Sequence, residues 1–365
     1  MIFINWLSDI FKSIDGFFFK PSTPHILAMI RLLAGSAIFY IHLTYTPTLM
    51  EYVGPEGWIQ HDIMDMLRTT TVFEPPGARW DGTDRPINPP RGSSSYSIFF
   101  NVTDPAGIWA MHGIFLTANL LFAMGLFTRF TGVLTWIGAL SYIQRAQTSL
   151  FGMDTIISIL LFYLMLSPCG KVWSVDRFLE KCRARRADLP VEPVAASSEA
   201  TFFQRAMQIH FAIIYLGAGT SKLMGAAWWQ GVALWGCLAN YSFAPMQYDM
   251  YMNGLELLVK NRWIWEIFMS SMAVFTLFLE LGFPFAVWVP KARWPFMLGA
   301  IVFHTGIGLL MGLRLFSFLM CTLVLSFATP EDIRSIVSWL GGLFGLGRHG
   351  AAAPDGGDTQ QDGGM

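Results

Sequence analysis

Lys222 closes an apolar run, Phe211 to Leu223 (FAIIYLGAGTSKL), in a chain that otherwise keeps charge out of such runs. A primary amine there has two readings. It reaches for polar headgroups, or it is held away from water, where burial favours the neutral amine and so supplies a general base. Glu280, His304, Arg145, Asp154 and Arg314 also fall in or beside apolar runs. Ionisable groups inside a membrane span are costly, face the bundle interior and mark functional sites by default. Together they suit a lipophilic acid, such as a hydroquinone or phenol delivered from the bilayer. Lys222 would be the base and His304 a proton shuttle or hydrogen-bond donor, with Arg145, Asp154, Glu280 and Arg314 shaping the pocket. Each also has a structural role open to it. Arg145 and Asp154 can pair across a turn, His304 can bond within the bundle, Glu280 can sit protonated against a neighbouring helix, and a turn residue such as Arg314 needs no function.

The elements that must carry these groups are helices. The 365 residues are 53% hydrophobic and only 13% charged, against about 25% charged in soluble domains, so the chain reads as an all-α, polytopic membrane bundle. Windows of about 20 apolar residues give eight candidate spans: 26–46, 106–127, 130–143, 155–167, 205–224, 264–289, 295–311 and 315–328. The third and fourth are short. Residues 226–240, apolar and rich in Trp, read as an interfacial or re-entrant helix, and 241–262 are too polar to span. Residues 1–25 form an amphipathic N-terminal segment without a cleavable signal, 331–349 an interfacial helix and 350–365 a disordered tail.

Basic residues set the orientation. Lys171, Arg177, Lys181, Arg183, Arg185, Arg186 and Arg205 cluster in the 170–204 loop and just beyond it, which is therefore cytoplasmic, and counting spans places both termini on that side. The long first loop, 47–105, then lies outside. It is richer in acid than base, and its Pro, Gly and Ser between Glu74 and Ser97 suit irregular surface structure. In this frame the intramembrane ionisable residues gather in the outer half and centre. The inner half holds only Arg31 and His210, a distribution that suits one polar pocket open to the outside.

Other chemistries find little here. Cys169, Cys182, Cys237 and Cys321 make no CxxC and no zinc-like spacing with histidine, and the glycines form no nucleotide or haem motif. A net charge of -1 gives no reason to expect nucleic acid. Two alternatives to an enzyme stay open: a transporter or lipid-handling protein whose polar residues continue as a path to the inside, and a membrane scaffold whose outer loop, with Trp58 and Trp80, binds a protein partner.

Three segments then stand out in order: Val172-Trp173-Ser174-Val175-Asp176; Tyr215 to Trp229 (YLGAGTSKLMGAAWW) followed by Gly231; and Phe303-His304 followed by Leu315-Phe316-Ser317 and Met320. Over about 26–330 the chain resembles the transmembrane part of vitamin K-dependent γ-glutamyl carboxylase and the wider HTTM (horizontally transferred transmembrane) family of bacterial proteins. The resemblance implies a bacterial inner-membrane location and a quinone or hydroquinone as the lipophilic partner. It implies Lys222 as the base that deprotonates the hydroquinone, His304 as a histidine of the membrane core, and Glu280 in FLELG as an acidic residue of the corresponding helix. The Asn-His pair before the carboxylase's fourth span is Met153-Asp154 here. The resemblance covers the membrane core and not the large extramembrane region through which the carboxylase recognises its protein substrate.

Overall fold

In a computed structural model, residues 2–64, 96–146, 149–242 and 244–332 are described, with the single positions 335 and 338. They are helical, with no β-strand among the described residues beyond one isolated bridge between Ser22 and Ser197. In chain order the helices are α1 (Ile2–Phe19), α2 (His25–Thr44), α3 (Leu49–Val53), α4 (Pro105–Met124), α5 (Thr128–Arg145), α6 (Gly152–Leu166) and α7 (Val175–Arg186). There follow α8 (Ser198–Leu223), α9 (Ala226–Trp229), α10 (Ala233–Leu238), α11 (Asp249–Lys260), α12 (Arg262–Ala286), α13 (Pro290–Leu310) and α14 (Arg314–Val324).

Each of the eight apolar windows holds a helix, but among the described residues four helical stretches are both long and apolar enough to cross a membrane: His25–Val53, Pro105–Met124, Arg262–Ala286 and Pro290–Leu310. Helix α6 and the stretch Arg314–Phe327 are apolar but short. Helix α5 is long enough but carries Thr128, Thr131, Thr135, Ser141 and Arg145 on its buried side, which lowers its hydropathy. Residues 226–240 form two short helices, α9 and α10, broken at Gly231 (φ 69°). Glu74, Trp80, the Pro/Gly/Ser stretch up to residue 95 and the tail fall outside the described residues. So does most of the 331–349 segment.

The helices pack in two groups. Helices α2, α4, α5 and α6 pack in succession, α8 packs along α12, α12 on α13 and α13 on α14, and α14 joins the groups by packing on α2 and α6. Residues 328–365 make up a separate unit, in which Thr329 and Asp332 cap one another reciprocally.

Helix ends follow local chemistry. Asp104 caps α4 by accepting from the Gly107 amide at 2.7 Å, with Pro105 at the first helical position, where its missing N–H costs nothing. Helix α4 closes at Gly125 (φ 77°). A Cβ on Gly125 would lie 1.9 Å from Arg31 Nη1, so the position demands glycine on two counts. Arg31 itself is fully buried. It donates from Nη1 to the Phe122 and Ala123 carbonyls at 3.1 and 3.2 Å and from Nη2 to the Trp173 carbonyl at 2.6 Å, closing the carbonyl end of α4 with a cation.

The segment 172–176 is therefore a structural staple. Trp173 takes positive φ (46°) and offers its carbonyl to Arg31, Ser174 caps α7 through the Arg177 amide at 3.0 Å, and Asp176 caps α5. Asp176 accepts from the Phe127 amide at 2.9 Å, the Thr128 amide at 3.1 Å and the Thr128 hydroxyl at 2.9 Å. Burial pushes the Asp176 carboxyl up, but these donors and the charge of Arg31 outweigh it and hold it below the usual carboxylate range. A depressed value in the folded state means that the cap stabilises above the ordinary carboxylate range and is lost as pH falls through the folded value. Asp176→Asn should lower stability by about 1 kcal/mol at neutral pH. Thermal unfolding of both proteins against pH should show the two curves converging in acid.

Candidate functional site

Tyr215, Gly219 and Lys222 stand at i, i+4 and i+7 on α8 and share one face. In a helix the Cα–Cβ bond leans toward the N-terminus, so from the last turn of α8 the Lys222 stem runs back along its own helix. There it meets α12. Lys222 Nζ lies 2.8 Å from both carboxylate oxygens of Glu280 and donates to Oε1. The Lys222 side chain is 23% exposed and that of Glu280 6%, with the Trp228 ring 5.5 Å from Nζ. Lys222 is thus neither extended to the surface nor sealed off.

Gly219 makes this pairing geometrically possible. A Cβ there would meet Leu281 Cδ2 at 2.8 Å and Glu280 Cβ at 3.2 Å, so α8 and α12 approach along the glycine. Gly219→Ala should cost about 1–3 kcal/mol by overpacking and move Glu280 away from Lys222. Thermal unfolding should show the loss.

One face further along, His304 of α13 accepts or donates through Nε2 with the Tyr215 hydroxyl at 2.8 Å. His304 is 3% exposed, its ring packs against Phe303 and Phe316, and it lies within electrostatic reach of Lys222. Its Nδ1 is buried with no hydrogen-bond partner, as are Thr276 Oγ1 on α12 and Ser317 Oγ on α14. Buried polar atoms are nearly always satisfied, and these three belong to helices that meet at His304 and Glu280. Thr276 is one turn from Glu280, and Ser317 packs against Gly308, one turn from His304.

Beside this group is a cavity of about 180 Å³ between α10, α12 and α13, lined almost wholly by apolar side chains, among them Leu234, Phe268, Phe275 and Val302. Thr276, Phe303 and Cys237 also line it, and Cys237 is within electrostatic reach of Lys222. On the other side of Tyr215, toward the N-terminal end of α8, an aromatic layer separates this group from the next buried polar side chain, Gln208, which donates to the Ser326 carbonyl at 2.6 Å. Phe211 and Phe283 pack on the Tyr215 ring at 4.7 Å each, and Phe327 and Trp288 extend the aromatic layer.

Two other residues expected in this pocket, Arg145 and Asp154, are placed elsewhere. Arg145, fully buried, donates to the Val53 carbonyl at 3.2 Å and the Gly54 carbonyl at 2.6 Å, and so closes the C-terminal end of α3 as Arg31 closes α4. Asp154 accepts from the Phe151 amide at 3.0 Å and starts α6. No ion pair between them occurs among the described residues, and both bond backbone groups. Arg314 is exposed at the first position of α14.

Asp154 instead neighbours a second polar group that the sequence reading passed over. His112 bonds Tyr142 Oη at 2.7 Å through Nδ1 and Thr46 Oγ1 at 3.0 Å through Nε2, while His42 contacts Asn119. These groups dock the chain after α2 onto α4 and α5, next to the apolar cluster of Leu49, Val53, Phe99, Ile108 and Phe115. His42 falls near the end of one apolar run and His112 inside another, so the criterion that picked out Lys222 and His304 would have found them. Tyr215 carried a weaker signal, since its ring counts as apolar.

No family model, curated protein or solved structure matches the chain. Its chemistry is read from its own residues.

Proposed function

We propose that the protein is a multi-pass membrane enzyme in which the Lys222–Glu280 pair removes a proton from a lipophilic hydroquinone or phenol, beside the Tyr215–His304 dyad. Eight spans with both termini cytoplasmic belong to the same proposal, as does kinship with the HTTM family and the carboxylase membrane core. The membrane setting is supported by the four long apolar stretches. It is supported too by Ile213, Ile267, Val274, Phe278, Phe285 and Leu309, each more than half exposed, an apolar surface that suits lipid.

The observation that carries the reading is the junction of a buried ion pair, a histidine with an uncommitted Nδ1 and an apolar cavity. A phenolic head has one O–H and an aromatic body, which the junction matches in kind. As an ion pair Lys222 already holds a proton. It serves as a base in the state where Glu280 has taken that proton, and the 2.8 Å contact makes this an internal transfer. The substrate proton then passes to Nζ, while His304 Nδ1, Thr276 Oγ1 and Ser317 Oγ offer hydrogen bonds to the head. The aromatic layer beyond Tyr215 favours a closed pocket over a transport path, which would need polar groups continuing past His304.

Thr276→Val tests the reading. It removes an unpartnered buried hydroxyl and keeps its shape, so stability should hold or rise. Affinity for a reduced short-chain naphthoquinone, measured by titration in nanodiscs, should fall about tenfold, the loss of one hydrogen bond. Unchanged affinity would remove Thr276 from the site, and no binding by the unaltered protein would remove the reading.

A further inference from the structure

We infer that α7 is a membrane-surface helix that binds anionic phospholipid headgroups, an inference that rests on the membrane reading but not on the proposed chemistry. At about 100° per residue, Val175, Phe178, Leu179 and Cys182 form one apolar stripe. Arg186 falls on the stripe at its C-terminal end, Arg183 flanks it on one side with Asp176 and Glu180 beyond, and Lys181 and Arg185 flank the other. No residue of the stripe is buried: Phe178 and Leu179 are 64% and 37% exposed, and Val175 and Cys182 are half-buried.

The helix is nonetheless fixed in place. Ser174 and Asp176 tie its first turn to α5, and Arg31 holds the Trp173 carbonyl, so the stripe cannot turn inward without breaking the staple. It begins eight residues after the apolar helix α6 ends, at the level where Phe127 and Phe130 are 68% and 67% exposed. Helix α7 carries five cations against two carboxylates. Asp176 is spent on capping α5, and Glu180 on Arg177 at 2.7 Å. Between α7 and the start of α5 lies a cavity of about 500 Å³ lined by Arg129, Lys171 and Arg177 and also by Asp176 and Glu180, with Arg129 paired to Glu199 at 2.7 Å. Lys171 enters no ion pair among the described residues. An apolar stripe bordered by cations matches an anionic bilayer surface, the apolar side chains entering the acyl boundary and the cations meeting phosphate.

Cys182 lies on the stripe and reports directly. With Cys237 and Cys321 changed to Ser and Cys169 fully buried, a nitroxide on Cys182 of the full chain can be read in two kinds of nanodisc. One is pure phosphatidylcholine and the other contains about 30% phosphatidylglycerol. The ratio of oxygen to water-soluble nickel-complex collisions should be at least about twofold higher in the anionic discs. The variant Lys181→Gln/Arg183→Gln/Arg185→Gln/Arg186→Gln should lose that difference at unchanged thermal stability. Equal, water-like ratios in both discs would overturn the inference. So would protection from the nickel complex that persists in lipid-free detergent with a dimer mass, which would assign the stripe to a second copy. Failure of the protein to enter nanodiscs would instead strike the membrane reading.

Discussion

Lys222→Arg should leave the fold intact and lower turnover of a reduced naphthoquinone about 100-fold or more. Arginine keeps a cation opposite Glu280 but is never deprotonated in proteins, so the substitution separates pairing from proton acceptance. Lys222→Ala removes both. Glu280, with its side chain 6% exposed, would then lose its partner, at a cost of about 3 kcal/mol. The two variants should therefore share the kinetic defect and differ in thermal stability. Enzyme-dependent oxygen uptake, with dioxygen as the added oxidant that accepts two electrons from the deprotonated naphthoquinol, and unfolding in the same nanodiscs measure the two effects. Turnover by the arginine variant within a few-fold of the unaltered protein would withdraw the base assignment while leaving the ion pair as structure.

The second large effect belongs to Arg31. Its guanidinium serves the Phe122, Ala123 and Trp173 carbonyls at once, and its side chain is fully buried. Arg31→Met fills similar space but strands three carbonyls, and hydrogen bonds to charged groups are each worth about 1.5–3 kcal/mol. A loss of at least about 3 kcal/mol follows, a large share of the roughly 5–15 kcal/mol that holds a domain together. The yield of folded protein by size exclusion and its unfolding temperature should both fall sharply. Arg31 bonds to none of Tyr215, Lys222, Glu280 and His304, so turnover per folded molecule should be unchanged. A variant with normal stability and lost turnover would reverse this division between staple and site.

These outcomes also show what a linear reading can reach. The apolar windows all fall on helices, because hydropathy over about 20 residues reports burial from water whatever the partner. Lys222, Glu280 and His304 were each legible as misplaced polar groups. That Lys222 meets Glu280 was not, since their contact depends on the close approach of α8 and α12 at Gly219. Arg145 and Asp154 misled for a related reason: nine positions apart around a turn, they suggested each other, whereas they bond backbone groups of Val53, Gly54 and Phe151. Backbone carbonyls and amides leave no mark in a sequence. The segment 172–176 drew attention by its resemblance, and its side chains turn out to hold helix ends together.

A density map of the protein extracted in native-lipid nanodiscs, with nothing added, puts the account to its most direct test. It should show an elongated molecule in the cavity beside Thr276 and Phe303, with a polar end within hydrogen-bond distance of His304 Nδ1 and near Lys222. A cavity closed by side chains, or filled by an acyl chain that makes no polar contact with His304, Thr276 or Ser317, would contradict it.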